Sequence, residues 1–482
     1  MPSPPPSTSG RVSKPSLTEG SIAGALIRLS LPIIGANLLA VAYQITDMWW
    51  VGRVSAAGVA AVSLCFPITF LMVAVGGGLA IAGSVLIAQY KGRGEERMMN
   101  HVTAQTLIMV FAISILLSTV GYFFSEPLMR LMDAEPDVLP DAVRFLQITF
   151  IGFIFVFGFF VYQSLMRGIG VVQVPMLIVL LTVILNFALD PLFIFGWGPI
   201  PPMGVAGAAM ATLSTQALAM VIGFALLFSG SQGLKPRLSD FKPDWSIIWK
   251  TFVLGLPASV DQGTRAMGLW LMTLLVSSFG TVAVAAYGIG NRILTLVVIP
   301  AMSVALATTT LVAQNLGAGN LQRAEQTNLI ASMLSFIIPT VGGAFIFLFS
   351  TPLAAFFVPN SPLAIEESSH FLRIISFALG CIGLQFAITG TLRGAGNTMA
   401  AMMLTLISTW VLQFPLAYIL SRHTSLGIDG IWWSHPIAMT ISAIVCVVWF
   451  LGGDWKRTKL LEDLELEQKV MTEARIEEGI GT

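Results

Sequence analysis

Five ionisable side chains stand inside long apolar stretches: Asp47, Asp190, Asp261, Arg265 and Arg292. Charge placed there is costly and is usually kept for function. Asp190 follows Asn186 by four residues, so on a helix the amide and the carboxyl share a face. Pro191 comes next. It donates no backbone hydrogen bond and frees a carbonyl in the preceding turn, near 187. Carboxylates, an amide and a loose carbonyl suit Na+ or a proton relay, and Thr212 could add a hydroxyl. Asp261 and Arg265 are also four apart, which favours a neutralised structural ion pair over a transport role. Arg292, beside Asn291, reads as a partner for a carboxylate or a carbonyl. The plainer alternatives are an interfacial Asp47 paired with Arg53 and an Asp190 that hydrogen-bonds locally.

The elements that hold these residues must be membrane helices. Of 482 residues, 55% are apolar and only 10% charged, against about 25% charged in soluble domains. Mean hydropathy is +0.83. A soluble globule and a disordered chain are both excluded. Net charge is zero, so nothing holds nucleic acid. A bilayer core needs roughly 20 apolar residues as a helix. Twelve segments qualify, near 26–52, 57–89, 102–124, 143–166, 172–196, 203–229, 248–279, 282–314, 327–350, 369–391, 399–420 and 426–452. They lack the alternation of barrel strands. The expected fold is therefore all-α, with twelve transmembrane helices.

Charge sets the orientation. One set of span ends carries Arg11, Lys14, Arg28, Lys91, Arg93, Arg97, Arg167, Lys235, Arg237, Lys242, Lys250, Arg323, Arg393, Lys456, Arg457 and Lys459. The other carries Arg53, Arg130, Arg144, Arg373 and Arg422. The positive-inside rule places both termini in the cytoplasm. Asp47 and Asp190 then sit at similar depth, roughly one to two turns below the outer surface. The expected organisation is a disordered tail (1–25), a first lobe (26–229), a cytoplasmic linker (230–247), a second lobe (248–452) and a cytoplasmic tail (453–482).

The two lobes match each other. A shift of 225 residues puts Leu29-x-Leu31-Pro32 on Leu254-x-Leu256-Pro257, and Ala88-Gln89-x-x-Gly92-x-Gly94 on Ala313-Gln314-x-x-Gly317-x-Gly319. Over 56–94 against 281–319, 13 of 39 positions are identical. A nearby shift aligns Arg167-Gly168-x-Gly170 with Arg393-Gly394-x-Gly396. These matches lie at corresponding loops and span starts, beyond what shared apolar composition gives. Six spans per repeat is an even number, so the bundles are related by a pseudo-twofold axis along the membrane normal, as in some secondary transporters. Pro32 and Pro257 recur at equivalent positions as candidate hinges, or as static kinks.

Several chemistries have no residues to carry them. There is no Gly-x4-Gly-Lys-Ser/Thr loop for ATP and no HExxH. His101, His370, His423 and His435 have no ligand spacing, and Cys65, Cys381 and Cys446 form no disulfide or zinc pattern. Gly76-Gly77-Gly78 and Gly83 read as close helix packing. The protein is expected to be no enzyme and to need no cofactor beyond a coupling ion.

With these residues in view, the chain resembles the multidrug and toxic compound extrusion (MATE) family, closest to its DinF-like prokaryotic branch. The resemblance covers about 25–452. It is carried by Leu31-Pro32-Ile33, Asp47 with Val51-Gly52, Ala88-Gln89-Tyr90-Lys91-Gly92, Arg167-Gly168-x-Gly170 and Asn186-x3-Asp190-Pro191. Gly204-Val205-Ala206-Gly207-Ala208-Ala209-x-Ala211-Thr212, Ala313-Gln314-Asn315-Leu316-Gly317 and Arg393-Gly394-x-Gly396 complete it. The resemblance implies two six-helix lobes, a V-shaped cleft and export of organic, often cationic, compounds against inward H+ or Na+. It implies coupling at Asp47, Asn186, Asp190 and Thr212, with Na+ a possible occupant. Other branches place an acid eight residues after the second-lobe proline and another in span 10. Here those positions offer Arg265 and Gln385, with Asp261 a displaced substitute. A substrate pathway is expected along Asp261, Gln262, Arg265, Arg292 and Gln385.

The leading function is thus a cation-coupled exporter of small amphiphilic molecules, monomeric, in a bacterial or archaeal inner membrane. The alternative is a flippase for lipid-linked precursors, which would favour a strongly basic cavity. An embedded enzyme would need clustered catalytic groups at a span end. A passive channel would not need duplicated bundles.

Overall fold

A computed structural model describes residues 17–198 and 200–457. The first repeat folds as α1 (Ile22–Val51), α2 (Ala56–Arg93), α3 (Glu96–Leu131), α4 (Leu139–Gly168), α5 (Gln173–Phe195) and α6 (Val205–Ser229). A 3-10 turn (Leu238–Phe241) leads to α7 (Trp245–Ser277), α8 (Thr281–Gly317) and α9 (Leu321–Phe357). The tenth span is bent: α10 (Pro362–Ser376) and α11 (Leu379–Gly394) meet at 52°. The eleventh runs from α12 (Thr398–Leu406) through a π-helical stretch (Ile407–Gln413) into α13 (Phe414–Arg422), and α14 (Ile428–Leu451) is last.

Ten of these spans are long and apolar enough to cross a membrane, and the bent pair makes an eleventh. The twelfth, α7, is 33 residues long but carries Lys250, Asp261 and Arg265. The expected spans are all present. Several run past their apolar stretch, since Ser21, Ser55, Asp244, Asn320 and Asn397 cap amides ahead of it. Gly94 and Gly319, equivalent in the two repeats, follow α2 and α8 with φ of 79° and 75°, a conformation that favours glycine.

The two bundles are built alike. In the first, α2 packs on α4, α4 on α6, α5 on α6 and α1 on α5. In the second, α8 packs on α10 and α11, α11 on α14, α13 on α14 and α7 on α12. The contact between bundles obeys the same symmetry: α2 lies on α7, α1 on α8, and α2 on α8. The glycines of α2 allow this. A Cβ on Gly78 would stand 2.2 Å from the Ser259 backbone nitrogen, and Ser259 Oγ donates to Val75 O at 2.9 Å.

One expectation about the N-terminal end needs correction. Residues 17–25 do not belong to a disordered tail. Leu17 is buried with Leu26, Leu29, Val304 and Leu311, and Arg323 donates to the carbonyls of Glu19 and Gly20. Burial of one leucine and satisfaction of two carbonyls fix the segment. The linker is also pinned: Gln105 on α3 donates to the carbonyls of Asp240 and Lys242 at 2.7 and 2.8 Å. Residues 1–16 and 458–482, where tails were expected, lie outside the described residues.

Candidate functional site

In the first bundle, α1, α5 and α6 bring Asp47, Asn186, Asp190 and Thr212 together. Asn186 Nδ2 donates to Asp190 Oδ1 at 3.2 Å, along one face of α5. Thr212 Oγ1 donates to Asp47 Oδ2 at 3.3 Å across α6 and α1. The two carboxyls are near enough to repel each other. Asn186 and Asp190 are fully buried; Asp47 is half-buried. Three buried oxygens have no donor: Asp47 Oδ1, Asn186 Oδ1 and Asp190 Oδ2. Arg53 does not pair with Asp47; its guanidinium lies 3.7 Å from the centroid of the Trp49 ring. The α5 helix runs through Pro191 to Phe195.

One member of this site escaped the sequence reading. Tyr43 lies four residues before Asp47, on the same face, and its hydroxyl is 2.7 Å from Thr215 Oγ1. The four-residue spacing was the available signal, but a tyrosine in an apolar stretch has many uses.

The second bundle holds a different cluster. Asp261 was expected to form a neutral pair with Arg265. That ion pair is present, with Oδ1 3.4 Å from Arg265 Nη2, but Asp261 is also bonded to Arg393 on α11 through Oδ2. Arg265 donates to Thr405 at 2.9 Å and lies over the Phe386 ring at 4.9 Å. The pair is a triad with one excess positive charge. Sequence separation hid this, because Arg393 ends a span and reads as a cytoplasmic charge; the bundle folds its side chain back to α7.

The remaining expected pathway residues do not converge on one point. Gln262 faces Gly77 of α2, with Nε2 unsatisfied. Gln385 is buried on α11 next to Phe386. Arg292 is exposed and takes no carboxylate or carbonyl partner among the described contacts; its neighbour Asn291 bonds Tyr287 O of its own helix. Pro32 and Pro257 lie in unbroken helices. His435 packs with Tyr287 and Phe371.

The repeated motifs build a third feature, where the bundles meet. Gln314 Nε2 donates to Gly168 O at 2.8 Å, and Gln89 Nε2 to Gly394 O at 3.1 Å. A Cβ on Gly92 would stand 2.0 Å from Gln314 O, and one on Gly317 2.0 Å from Gln89 O. The four contacts form two pairs exchanged by the repeat symmetry.

The sequence model of the MatE family matches this chain twice, over residues 32–192 and 257–419. The matches begin 225 residues apart, the offset that superposes the two halves, and together span more than half of the chain. The protein belongs to the MatE family. Its relatives include the probable multidrug resistance protein YpnP of Bacillus subtilis, 29% identical over 92% of this chain and 98% of YpnP. Another is the multidrug resistance protein MdtK of Photorhabdus laumondii, 26% identical over 88% of this chain and 94% of MdtK. A solved MATE family multidrug resistance transporter in an outward-facing conformation superposes with a TM-score of 0.85, at 27% identity, covering 92% of this chain and 98% of its own. As a MatE member the chain is a multi-pass membrane transporter of small organic molecules, not an enzyme, and it works without a bound cofactor.

Proposed function

We propose that this MatE transporter exports amphiphilic, often cationic, organic compounds in exchange for inward H+ or Na+, with Asp47, Asn186, Asp190 and Thr212 as the coupling site. The observation that carries the reading is the trio of unsatisfied buried oxygens on Asp47, Asn186 and Asp190. Buried polar atoms are almost always hydrogen-bonded. Three acceptors on two neighbouring carboxyls and an amide are completed by a proton or by Na+, an oxygen-seeking cation. Two like charges in a membrane bundle repel, and a bound cation removes that repulsion.

The exchange follows from competition between states. Hydrogen bonds between the bundles, among them Asn37–Ser303, Ser259–Val75 and Arg323 with Glu19 and Gly20, gather toward the end holding the Gln–Gly contacts. With that end cytoplasmic, as the positive charges favour, the site on α1 and α5 is approached from outside. An arriving cation neutralises the carboxyls and displaces a cationic substrate. Parting the Gln–Gly contacts opens the cytoplasmic side and discharges the cation. Each ligand need only prefer a different state. Pro32 and Pro257 are pivots for this rocking, with Gln262, Arg265, Arg292 and Gln385 along the pathway. One chain holds both bundles, so a monomer in the inner membrane suffices. The flippase alternative gains no support from the relatives. Nor do the described residues build its strongly basic cavity: the excess guanidinium of the Asp261 cluster and the separate Arg292 stand against two carboxylates in the first bundle.

The test is efflux from proteoliposomes loaded with a fluorescent organic cation, with Na+ and pH gradients imposed separately. The proposal expects one gradient to drive export against the dye gradient. Equal downhill leakage under both would overturn it.

A further inference from the structure

The first helix of each bundle starts fastened to the other bundle. Leu26 and Leu29 of α1 are buried in one cluster with Val304 and Leu311 of α8, and Arg323 of α9 holds the carbonyls of Glu19 and Gly20. Likewise Ile247 and Leu254 of α7 are buried in one cluster with Met98, Met99 and Val102 of α3. Further along α7, Met272 and Val276 belong to the second bundle. Gln105 of α3 fastens the linker ahead of α7: it donates to the carbonyls of Asp240 and Lys242 and accepts from the Asp244 amide at 2.9 Å. Parting the bundles at the end with the Gln–Gly contacts therefore loads both fastenings.

The two differ in chemistry. In the first, an arginine meets neutral carbonyls. The second holds a titratable ring. His101 is buried on α3, with Nε2 3.4 Å from Asp244 Oδ2 and Nδ1 3.9 Å from Asp240 Oδ1. Asp244 caps α7 through the amides of Ser246 and Ile247. Asp240 is buried, and its Oδ2 accepts from the Arg237 amide at 2.7 Å. Its Oδ1 lies 3.6 Å from Arg97 Nη1 and has no hydrogen-bond donor among the described residues. A neutral imidazole has one N–H and serves one of these carboxylates; an imidazolium has two and serves both. Among the groups in contact, Asp240 and Asp244 against Arg97 leave one negative charge, which a proton on His101 cancels. Arg237 and Lys242 flank Asp240 on the linker, and Lys250 lies further along α7. The helices α2 and α4 also pack on α3 and end on this side with Lys91, Arg93 and Arg167. Of these, Arg93 pairs with Glu95 and Arg167 donates to Ser164.

We propose that His101 is a pH-responsive fastener of the linker. Protonated, it ties Asp240 and Asp244 to α3 and holds the start of α7 against the first bundle. Neutral, it lets go of one carboxylate, and the start of α7 can move away. Histidine changes charge between about pH 5 and 8, so the fastening is strong at the acid end of that window and is lost as pH rises through it. With this end cytoplasmic, acid inside the cell slows the opening of the cytoplasmic side. The device regulates opening whichever cation drives export, and it shares no residue with the coupling site.

Spin labels on Glu96→Cys and Ser246→Cys, both at exposed positions, report the separation of α3 from the start of α7. They are placed in the purified full-length chain without Cys65, Cys381 and Cys446, with no substrate and no gradient. With His101 present, the population at long distance should grow about fivefold or more from pH 6 to pH 8. His101→Gln is neutral at both values and should change by less than about twofold. Asp244→Asn keeps a good cap for α7 but removes one carboxylate, and it too should lose most of the response. Asp47 and Asp190 are unchanged in all three proteins, so any response of theirs is common to them. A population that does not change with pH when His101 is present overturns the proposal. So does a full response in His101→Gln, whatever Asp244→Asn does, because it places the titrating group elsewhere. Either failure leaves the exporter reading standing, since nothing is transported in the measurement.

Discussion

Gln314 on α8 donates to the carbonyl of Gly168 at the end of α4, 2.8 Å across the junction of the two bundles. Its counterpart Gln89 does the same to Gly394 at 3.1 Å. The donors and acceptors belong to two motifs that the sequence repeats, so duplication has produced a contact that only a pair of copies can make. Gly92 and Gly317 let the backbones close on it.

Adding a methyl group there should block closure. Gly317→Ala sets a Cβ 2.0 Å from Gln89 O, and backbone cannot yield as a side chain would. Overpacking of this kind costs about 1–3 kcal/mol. The variant should fold, shift toward the state open at this end, and lose about tenfold or more of its efflux. Spin labels placed across the junction should report a longer distance. An unchanged distance with normal efflux would show that the contact is not a gate.

The Asp261 triad predicts a pattern of melting temperatures in detergent. Asp261→Asn leaves the buried Arg393 guanidinium facing the part-buried Arg265 with no carboxylate between them and should cost about 3–5 kcal/mol. Adding Arg265→Gln recovers little, since Arg393 stays unpaired and buried. Combining Asp261→Asn with Arg393→Gln should recover more. The opposite ranking would mean that the four-residue neighbour is the true partner.

Orientation is checked by labelling. In a chain without Cys65, Cys381 and Cys446, cysteines at Glu135 and Pro362 should react with an impermeant reagent from outside intact cells. One at Leu238, 93% exposed, should react only after lysis. The reverse pattern would invert the coupling scheme.

Most of the fold was legible because a bilayer imposes one rule, about 20 apolar residues per crossing, and duplication supplied the pairing of the halves. Asp47 and Asp190 were legible because ionisable groups in apolar spans are rare, and Asn186 because it precedes Asp190 by four residues. Tyr43 was not, because tyrosine is ordinary there. Arg393 was not, because its partner is 132 residues away and a span-end arginine normally faces water. The bend between α10 and α11 and the π-helical stretch were also hidden; neither proline hinge candidate marks them.

The proposed coupling site at Asp47 and Asp190 is tested most directly by charge-fixing substitutions. Asp47→Asn and Asp190→Asn keep size and hydrogen bonding while removing one carboxylate each from a site with three unsatisfied oxygens. The measurement is gradient-driven efflux of a cationic dye from proteoliposomes holding equal amounts of folded wild type or variant. The account predicts that each substitution abolishes efflux, while Asp261→Asn with Arg265→Gln retains a measurable rate in the protein that folds. Wild-type rates from both single carboxylate variants under the same imposed gradient would contradict it.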